Sequence, residues 1–231
     1  MTKLYCDTSN LNEIRNCLKK FDVRGVTTNP SIMRKEGVKN YKLHCKKILK
    51  LIKDKPLSVE VFADKEEEII DQAYKISKWS KSVYVKVPVI NTNGIFLGKV
   101  IKKLKSNKIK LNITAVFTLN QIEKIKKSIN GKTPVIVSIF CGRIADSGID
   151  PEPLMLEAKK IFKKYKNVEI LWASVREIFN FYQAKRVKSD IITIPPTLIK
   201  KIKSKKISLN EYSKKTVEQF FDDGRKSNFK L

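Results

Sequence analysis

Eight short runs of β-branched and other apolar residues recur along this 231-residue chain, and a longer lysine-rich segment follows each run. The short runs fit β-strands, whereas the intervening segments have the apolar spacing of amphipathic helices, as at Glu66–Lys78, Leu119–Ile129 and Pro153–Tyr165. Strict alternation of strand and helix requires right-handed crossovers and gives a parallel sheet. We predict the strands at residues 3–7, 25–28, 57–62, 83–88, 110–117, 134–140, 168–173 and 190–194.

Eight strand–helix units close naturally into an α/β fold, a single-domain (β/α)8 TIM barrel. An open doubly wound sheet is the alternative, but no glycine-rich phosphate loop follows the first strand to support it. No Gly-, Ser- or Pro-rich linker divides residues 1–231, so we assign them to one domain. An additional helix at about 208–222 carries more apolar residues than a solvated tail needs, which predicts that it packs on the barrel or on a neighbouring subunit.

The charge of the chain raises a nucleic-acid hypothesis, because 49 Lys and Arg residues face 23 Asp and Glu residues and give a formal net charge of +26. The lysines are not gathered into one arm or tail, however, but recur in nearly every predicted helix. This distribution is typical of solvated helix faces, and it also attracts phosphorylated metabolites. We therefore predict no nucleic-acid partner.

Other features of the composition exclude further classes. The N-terminus has no apolar signal-peptide core and no apolar run is long enough to span a bilayer, so we expect a cytoplasmic protein with no membrane partner. His44 is the sole histidine and is expected on the surface of a lysine-rich helix. This position gives no reason to expect a histidine-based triad. The four cysteines have no CxxC spacing, so we expect no metal site or disulfide framework.

Lys86 is the single charged residue in the segment Val83–Val89, which otherwise fits a buried strand. With a side-chain period of two, the valines share one face, while Tyr84 and Lys86 point the other way, into the barrel. Burial disfavours the ammonium form and leaves an amine that can attack a carbonyl carbon and form a Schiff base. A strand lysine can also be a snorkelling or ion-paired structural residue, so the other strands have to decide between the two interpretations.

The same periodicity places polar side chains of several other strands at the carboxyl end of the barrel. An isolated inward Asn or Ser usually satisfies a backbone group, but a cluster of such groups at this end is where barrel active sites are built. The cluster comprises Asp7, Asn29, Glu60, Lys86, Asn112, Thr114 and Ser138.

Two arginines follow late strands of the predicted barrel, Arg143 after the sixth and Arg176 after the seventh. Loops in these positions commonly hold a phosphate group. Two planar guanidinium groups, together with the hydroxyl of Ser174, suit a phosphate monoester.

Five segments, Asp7–Ser9, Gly25–Ser31, Val85–Pro88, Asn112–Thr114 and Gly142–Ile144, match a known family in this order. From the first strand to the eighth, the chain resembles the transaldolases, specifically the short branch that also contains fructose-6-phosphate aldolase. The Thr-Thr-Asn-Pro-Ser and Val-Lys-Val-Pro motifs within these segments are specific to that family.

The resemblance assigns a role to each polar residue of the cluster. It implies that Lys86 is the Schiff-base lysine, that Asp7 transfers protons, and that Glu60 and Thr114 hold a water that shuttles protons. It implies no metal and no organic cofactor. The residues implied for the hydroxyls of a dihydroxyacetone unit are Asn29, Asn112 and Ser138, and those for the substrate phosphate are Arg143, Ser174 and Arg176.

Glu60 and Phe140 distinguish the two activities of this branch, because the aldolases have Gln and Tyr at these positions. The resemblance thus implies a transaldolase of the pentose phosphate pathway. Such an enzyme converts sedoheptulose 7-phosphate and glyceraldehyde 3-phosphate into erythrose 4-phosphate and fructose 6-phosphate. A fructose-6-phosphate aldolase is the near alternative, and a non-catalytic basic barrel that binds polyanions is the remote one. Short members of the family form ring-stacked decamers with an exchanged C-terminal helix, so a homo-oligomer is expected.

Overall fold

A closed barrel of eight parallel strands forms the centre of the computed structural model, which describes residues 1–129, 131–202, 207–227 and 229. Each strand pairs with the next along the chain, and the last strand pairs with the first. The predicted (β/α)8 barrel is therefore confirmed, and the open-sheet alternative is wrong. The strands are β1 Lys3–Asp7, β2 Val23–Thr27, β3 Leu57–Glu60, β4 Val83–Pro88, β5 Leu111–Val116, β6 Val135–Ile139, β7 Val168–Trp172 and β8 Ile191–Ile194.

Among the described residues, one helix follows each of β1, β3, β4, β5 and β7, and two helices follow each of β2, β6 and β8. The helices are α1 Leu11–Lys20, α2 Pro30–Lys35, α3 Tyr41–Ile52, α4 Glu66–Ser77, α5 Gly98–Ser106, α6 Leu119–Ser128, α7 Cys141–Asp146, α8 Glu152–Ile161, α9 Phe179–Arg186, α10 Pro196–Ile202 and α11 Leu209–Lys226.

Most predicted strand bounds differ from the observed ones by one or two residues, and β3 shows why. This strand was predicted to run to residue 62 but ends at Glu60. The backbone N–H groups of Phe62 and Ala63 donate to the Gln72 side-chain oxygen of α4, at 2.7 and 3.1 Å. A side chain from the following helix thus takes the hydrogen bonds that would have continued the strand, and the chain turns away at the barrel mouth.

The chain divides into two compact units, Met1–Ile199 and Lys200–Leu231. The second unit contains α11, which begins at a side-chain cap, since Ser208 Oγ accepts the Glu211 N–H at 3.1 Å. This helix extends four residues beyond the predicted end at residue 222. The expectations that it packs on the barrel or on another subunit, and that residues 1–231 form one domain, stay predictions.

The interior of the barrel is apolar below the carboxyl ends of the strands, toward their amino ends. A buried cluster there consists of side chains from strands β1, β4, β6, β7 and β8 and from the residue just after β7, and Phe140 packs against it. Its members are Tyr5, Tyr84, Ile136, Leu171, Ala173 and Ile191. Gly25 of β2 makes room for the largest of them, since a Cβ atom at that position would lie 2.6 Å from the Tyr5 ring.

Two further predictions concern the exterior. The expectation that His44 lies on the surface is wrong, because the residue is half-buried and its Nε2 lies 2.8 Å from the carbonyl oxygen of Ser9. The single histidine thus ties α3 to the loop that follows β1. Within the described part of the chain, no helix combines the length and the apolar character needed to cross a bilayer.

Replacing Gly25 with alanine is expected to lower the free energy of unfolding by about 1–3 kcal/mol, because the added methyl overlaps the buried Tyr5 ring. Chemical denaturation measures the change. Gly224→Ala in α11 is the matched control, since among the described residues the added methyl meets nothing within 4 Å beyond the local backbone of its own helix, and helix propensity favours alanine by about 1 kcal/mol. Wild-type stability of Gly25→Ala would show that the Tyr5 ring can move aside, against our account of the interior.

Candidate active site

One pocket of about 620 Å³ lies at the carboxyl end of the barrel, and every residue predicted for the site lines it. The structure therefore brings the whole predicted set together, although their chemical roles stay predictions. The set comprises Asp7, Asn29, Glu60, Lys86, Asn112, Thr114, Ser138, Phe140, Arg143, Ser174 and Arg176.

Lys86 lies between two polar neighbours in the sheet, because it pairs in register with Glu60 of β3 and with Asn112 of β5. The residue is only 7% exposed. Its Nζ lies 3.0 Å from Glu60 Oε2 and donates to the carbonyl oxygen of Thr28 at 2.9 Å. A buried ammonium group is tolerated when a counter-charge and a further acceptor compensate its lost hydration, and these two oxygens provide them.

Glu60 is itself held in place by Tyr41, the first residue of α3. The Tyr41 hydroxyl donates to the Glu60 carbonyl oxygen and accepts the Glu60 N–H, both at 3.1 Å. Burial raises the pKa of Tyr41 well above its ordinary value, so this hydroxyl stays neutral and keeps its proton. Sequence reasoning missed Tyr41, because nothing in the helical pattern of residues 41–52 distinguishes it from an ordinary packing residue.

Asp7, at the end of β1, is bound through a pair of threonines. Thr27 Oγ1 donates to Asp7 Oδ1 at 2.6 Å, and the hydroxyls of Thr27 and Thr193 lie 2.5 Å apart. The pKa of Asp7 is raised above its ordinary value, chiefly by burial and to a lesser extent by the charge of Glu60. The Thr27 hydrogen bond and the charge of Lys86 act in the opposite direction but do not cancel the increase. Asp7 is thus suited to hold a proton at a pH where an exposed aspartate would be ionised. Applying the strand period to β8 would have found Thr193.

A chain of hydrogen bonds orients Asn112 on β5. Ser138 Oγ donates to Asn112 Oδ1 at 2.7 Å, and Asn112 Nδ2 donates to Ser58 Oγ at 3.0 Å. All three residues are buried. The amide and the two hydroxyls therefore form a polar layer directly above the apolar interior, where they can exchange hydrogen bonds with hydroxyls of a ligand.

Thr114, two residues further along β5, has a buried hydroxyl with no hydrogen-bond partner among the described residues. A buried hydroxyl without a partner is unusual, and this one lines the pocket. The strand is irregular here, since Ala115 has a left-handed φ of 56° and the pairing with β6 shifts between Ile113 and Val116. Irregularities of this kind re-aim side chains next to active sites.

Asn29 has a local role as the cap of α2, because its Oδ1 accepts the Ile32 N–H at 2.9 Å. Pro30 follows at the first helical position, where its missing N–H costs no hydrogen bond. Because Oδ1 already accepts the hydrogen bond from Ile32, we expect Asn29 to contact a substrate hydroxyl through Nδ2.

The predicted phosphate ligands follow β6 and β7, since Arg143 lies in α7 and Ser174 and Arg176 lie in the loop after β7. The Arg143 guanidinium lies 5.7 Å from the centre of the Phe140 ring, and Arg176 contacts Asp146 Oδ2 through Nε at 2.9 Å and Nη2 at 2.7 Å. The loop after β7 meets α7 at Gly142, where a Cβ atom would lie 1.6 Å from the Ser174 carbonyl oxygen. Only glycine permits this approach, which places both arginines on one side of the pocket.

The remaining metal-ligating and thiol groups do not add to this site. In the part of the chain that the structure describes, no group of three or more His, Cys, Asp or Glu side chains could hold a metal ion. The four cysteines are buried, and no disulfide joins them.

The stability of Asp7→Asn relative to wild type is expected to rise with pH. Because the folded state raises the pKa of Asp7 above its ordinary value of 3.8, the stability that this residue contributes is fully present below pH 3.8. That contribution is lost as the pH rises through the folded-state pKa, whereas asparagine does not titrate. Denaturation of both proteins from acidic to neutral pH measures the difference.

Asp64→Asn provides a control of opposite sign. Hydrogen bonds from the Thr92 backbone and hydroxyl lower the pKa of Asp64, so its contribution is present above pH 3.8 and is lost as the pH falls through the folded-state pKa. Parallel pH profiles for the two variants would contradict our assignment of the Asp7 shift to burial.

Comparison with solved structures supports the barrel. A structure titled "Native KDPGal structure" matches with a TM-score of 0.55 and 10% identity, covering 83% of this chain and 81% of that one. Thiamine phosphate pyrophosphorylase from Pyrococcus furiosus matches with a TM-score of 0.54 and 13% identity, covering 84% of this chain and 85% of that one. At such low identity these similarities concern the fold alone.

Comparison with known sequences identifies the family. A curated "Probable transaldolase" of Thermoplasma volcanium is 37% identical over 201 residues, which is 86% of each chain. Another, from Dehalococcoides mccartyi, is 33% identical over 194 residues, 84% of this chain and 86% of the relative. A third, from a Thermoanaerobacter species, is 32% identical over 231 residues, 99% of this chain and 100% of the relative. The family model described as "Transaldolase/Fructose-6-phosphate aldolase" matches residues 4–230, and the chain belongs to this family.

Proposed function

We propose that this protein is a transaldolase that transfers a dihydroxyacetone unit between sugar phosphates through a Schiff base on Lys86. The observation that carries the proposal is the placement of the Lys86 amine, which lies in the polar layer of the pocket, 3.0 Å from a carboxylate oxygen of Glu60. A volume of about 620 Å³ lies in the range of small-molecule sites and accommodates a sugar phosphate.

The first step requires Lys86 to lose a proton, and Glu60 is placed to accept it. The neutral amine then attacks the C2 carbonyl carbon of a ketose phosphate, giving a carbinolamine. Protonation of its hydroxyl lets that group leave as water, and a protonated imine remains between C2 and Nζ. A water molecule held by the Glu60 carboxylate and the unpartnered Thr114 hydroxyl carries protons in this step.

The second step breaks the C3–C4 bond. A base removes the proton of the C4 hydroxyl, the C4 oxygen forms a carbonyl, and the bonding electrons move into the iminium group to give an enamine. The first aldehyde leaves, and the enamine carbon attacks the carbonyl carbon of a second aldehyde, whose oxygen takes a proton. Addition of water to the new imine then releases the product ketose and regenerates Lys86. General-base assistance of this kind contributes about a hundredfold to ten-thousandfold.

The other polar groups bind and orient the substrate. Asn112 and Ser138 are fixed by their mutual hydrogen bond, and we assign them, with Asn29, to the hydroxyls of the three-carbon unit. We assign the phosphate to Arg143, Ser174 and Arg176. The Asp146 carboxylate that contacts Arg176 is about half exposed, and an exposed ion pair of this kind contributes little stability. A substrate phosphate can therefore bind Arg176 beside Asp146, or in its place, at little energetic cost.

Fructose-6-phosphate aldolase is the second candidate, since the family includes both activities. Phe140 favours transfer. Its ring packs against the apolar interior and lies 5.6 Å from the Phe117 ring, so it presents a hydrocarbon surface to the pocket and offers no proton to the enamine carbon. The enamine then persists until an acceptor aldehyde arrives.

Lys86→Arg is expected to lower turnover by at least about a thousandfold without unfolding the protein, because a guanidinium group keeps the charge but cannot form an imine. The measurement is glyceraldehyde 3-phosphate release from fructose 6-phosphate, with and without erythrose 4-phosphate. Borohydride trapping of the imine, followed by mass spectrometry, should modify wild type but not this variant.

Lys105→Arg is the matched control for this experiment. Lys105 is also buried, at 3% exposed, but it lies in α5 outside the pocket and donates to the Thr133 carbonyl oxygen at 2.5 Å. Near-normal turnover and trapping are expected for it. Retention of activity in Lys86→Arg would contradict the mechanism, and acceptor-independent release by wild type would assign the protein to the aldolases instead.

Phe140→Tyr is expected to raise the acceptor-independent release of glyceraldehyde 3-phosphate from fructose 6-phosphate. A tyrosine hydroxyl in the pocket can protonate the enamine, and we expect an increase of about tenfold, below the contribution of an optimally placed acid. Phe117→Tyr is the control, because Phe117 packs against Phe140 without lining the pocket. An equal rise in both variants, or none in Phe140→Tyr, would show that Phe140 does not set the partition.

A further inference from the structure

A second pocket, on the outside of the barrel, has a composition unlike that of the active site. This groove of about 510 Å³ lies between α3 and the end of α4, and its lining consists of four lysines and one tryptophan, Lys42, Lys46, Lys75, Lys78 and Trp79. The first two lie one turn apart on α3, and the last two follow directly after α4. All four lysines are exposed, whereas Trp79 is half-buried.

The positive charge of this groove is largely uncompensated. No carboxylate lines it, and Lys75 alone has an acidic partner, Asp71 of the same helix at 2.6 Å. Within the described ranges of the chain, Lys42, Lys46 and Lys78 take part in no ion pair. Like charges one helical turn apart repel each other, so an anion in the groove relieves an unfavourable arrangement.

Two other pockets with several lysines differ from this groove. In the groove between α5 and α6, four lysines also lack a lining carboxylate, but the aromatic residue is Phe96, and Lys124 Nζ lies 5.9 Å from the centre of its ring. The other pocket lies at the amino end of the barrel. Lys3 and Lys159 line that pocket, but Lys3 pairs with Glu169 at 2.7 Å and Lys159 pairs with Asp190. The groove between α3 and α4 is therefore distinguished by its indole ring together with its lysines, because the groove between α5 and α6 offers only a phenyl ring that a lysine already contacts.

The indole of Trp79 is a fixed aromatic surface in the groove. Its ring packs edge-on against Tyr41, with centroids 6.1 Å apart and the planes at 63°. Tyr41 is held in turn by Phe62, at 4.6 Å, and by its two hydrogen bonds to the Glu60 backbone. A flat ring that loses little freedom on binding suits a ligand with a planar ring of its own.

We propose that this groove binds a nucleotide, with the base stacked on Trp79 and the phosphates on Lys42, Lys46 and Lys78. Ammonium groups bind phosphate oxygens as mobile point charges, and stacking on an aromatic side chain accepts any base. The groove shares no residue with the pocket at the barrel mouth, so the inference does not depend on the proposed function. A nucleoside triphosphate combines the planar ring with the multiple charges that the site selects.

ATP binding to Trp172→Phe tests the proposal directly. The chain has two tryptophans, and Trp172 is fully buried on β7, so this substitution leaves Trp79 as the sole reporter. ATP in magnesium-free buffer should quench its fluorescence saturably, whereas binding at the barrel mouth should leave it unchanged. Calorimetry on the wild-type protein gives the same affinity without relying on the variant's stability.

Two surface variants with equal charge change distinguish a site from general attraction. Lys42→Gln with Lys46→Gln should weaken ATP binding at least tenfold. Lys99→Gln with Lys102→Gln, in the groove between α5 and α6, should leave the affinity unchanged. Trp79→Leu should weaken ATP binding about tenfold but leave inorganic tripolyphosphate binding unchanged.

Several outcomes would overturn the proposal. Equal losses in the two lysine pairs would mean that ATP responds only to net charge. Equal affinity for tripolyphosphate and ATP, with no effect of Trp79→Leu, would remove the base from the interaction. Displacement of ATP by fructose 6-phosphate would place the nucleotide at the barrel mouth.

Discussion

The pairing of Lys86 with Glu60 is the interaction on which the arrangement of the barrel mouth depends. A buried ammonium group costs several kcal/mol unless its partners are well placed, and here those partners come from two other strands. Glu60 ends β3, and the carbonyl oxygen of Thr28 follows β2. Thr28 is tied to β3 in turn, because its hydroxyl donates to the Ser58 carbonyl oxygen at 3.1 Å. A shift of any of these strands by one residue would leave the lysine charged and unpaired, so the register of β2, β3 and β4 and the placement of the amine depend on each other.

Packing of the apolar interior offsets the stability cost of burying so many polar groups at the barrel mouth. Below the polar layer, Tyr5, Tyr84, Ile136 and their neighbours fill the barrel, and the outward valines of β4 are buried under the helices. The barrel thus separates its tasks along its axis, with hydrocarbon at the amino end of the strands and hydrogen-bonding groups at the carboxyl end. Polar groups buried at a functional site cost stability that packing elsewhere offsets.

Side-chain periodicity predicted much of this site because most of its residues lie inside strands. On β3, β4 and β5, alternation alone places Glu60, Lys86 and Asn112 on the inner face, and the parallel register then makes them neighbours. Their chemical roles came from the family resemblance, since alternation fixes a direction and not a reaction.

The pattern could not predict contacts between segments that are distant in sequence and that involve backbone atoms or loops. Three contacts are of this kind. Lys86 donates to the Thr28 carbonyl oxygen, the Tyr41 hydroxyl donates to the Glu60 carbonyl oxygen, and Arg176 pairs with Asp146. A carbonyl oxygen has no sequence signature, and a loop contact depends on the path of the chain after the strand ends.

The same ion pair also bears on the charge balance of the proposed transfer cycle. In the proposed cycle, the ammonium of Lys86 and the carboxylate of Glu60 carry no net charge, and an iminium beside the carboxylate carries none either. Cleavage neutralises the nitrogen, but the proton removed from the C4 hydroxyl then resides on an acidic group, so the net charge of the pocket stays constant. Asp7, whose pKa burial raises, can share that proton through the pocket water. An acceptor aldehyde takes the proton on its carbonyl oxygen as the new bond forms, whereas an aldolase has to deliver a proton to the enamine carbon. Phe140 provides no proton donor on its side of the pocket, which favours the transfer step of the proposed cycle over release of the three-carbon unit.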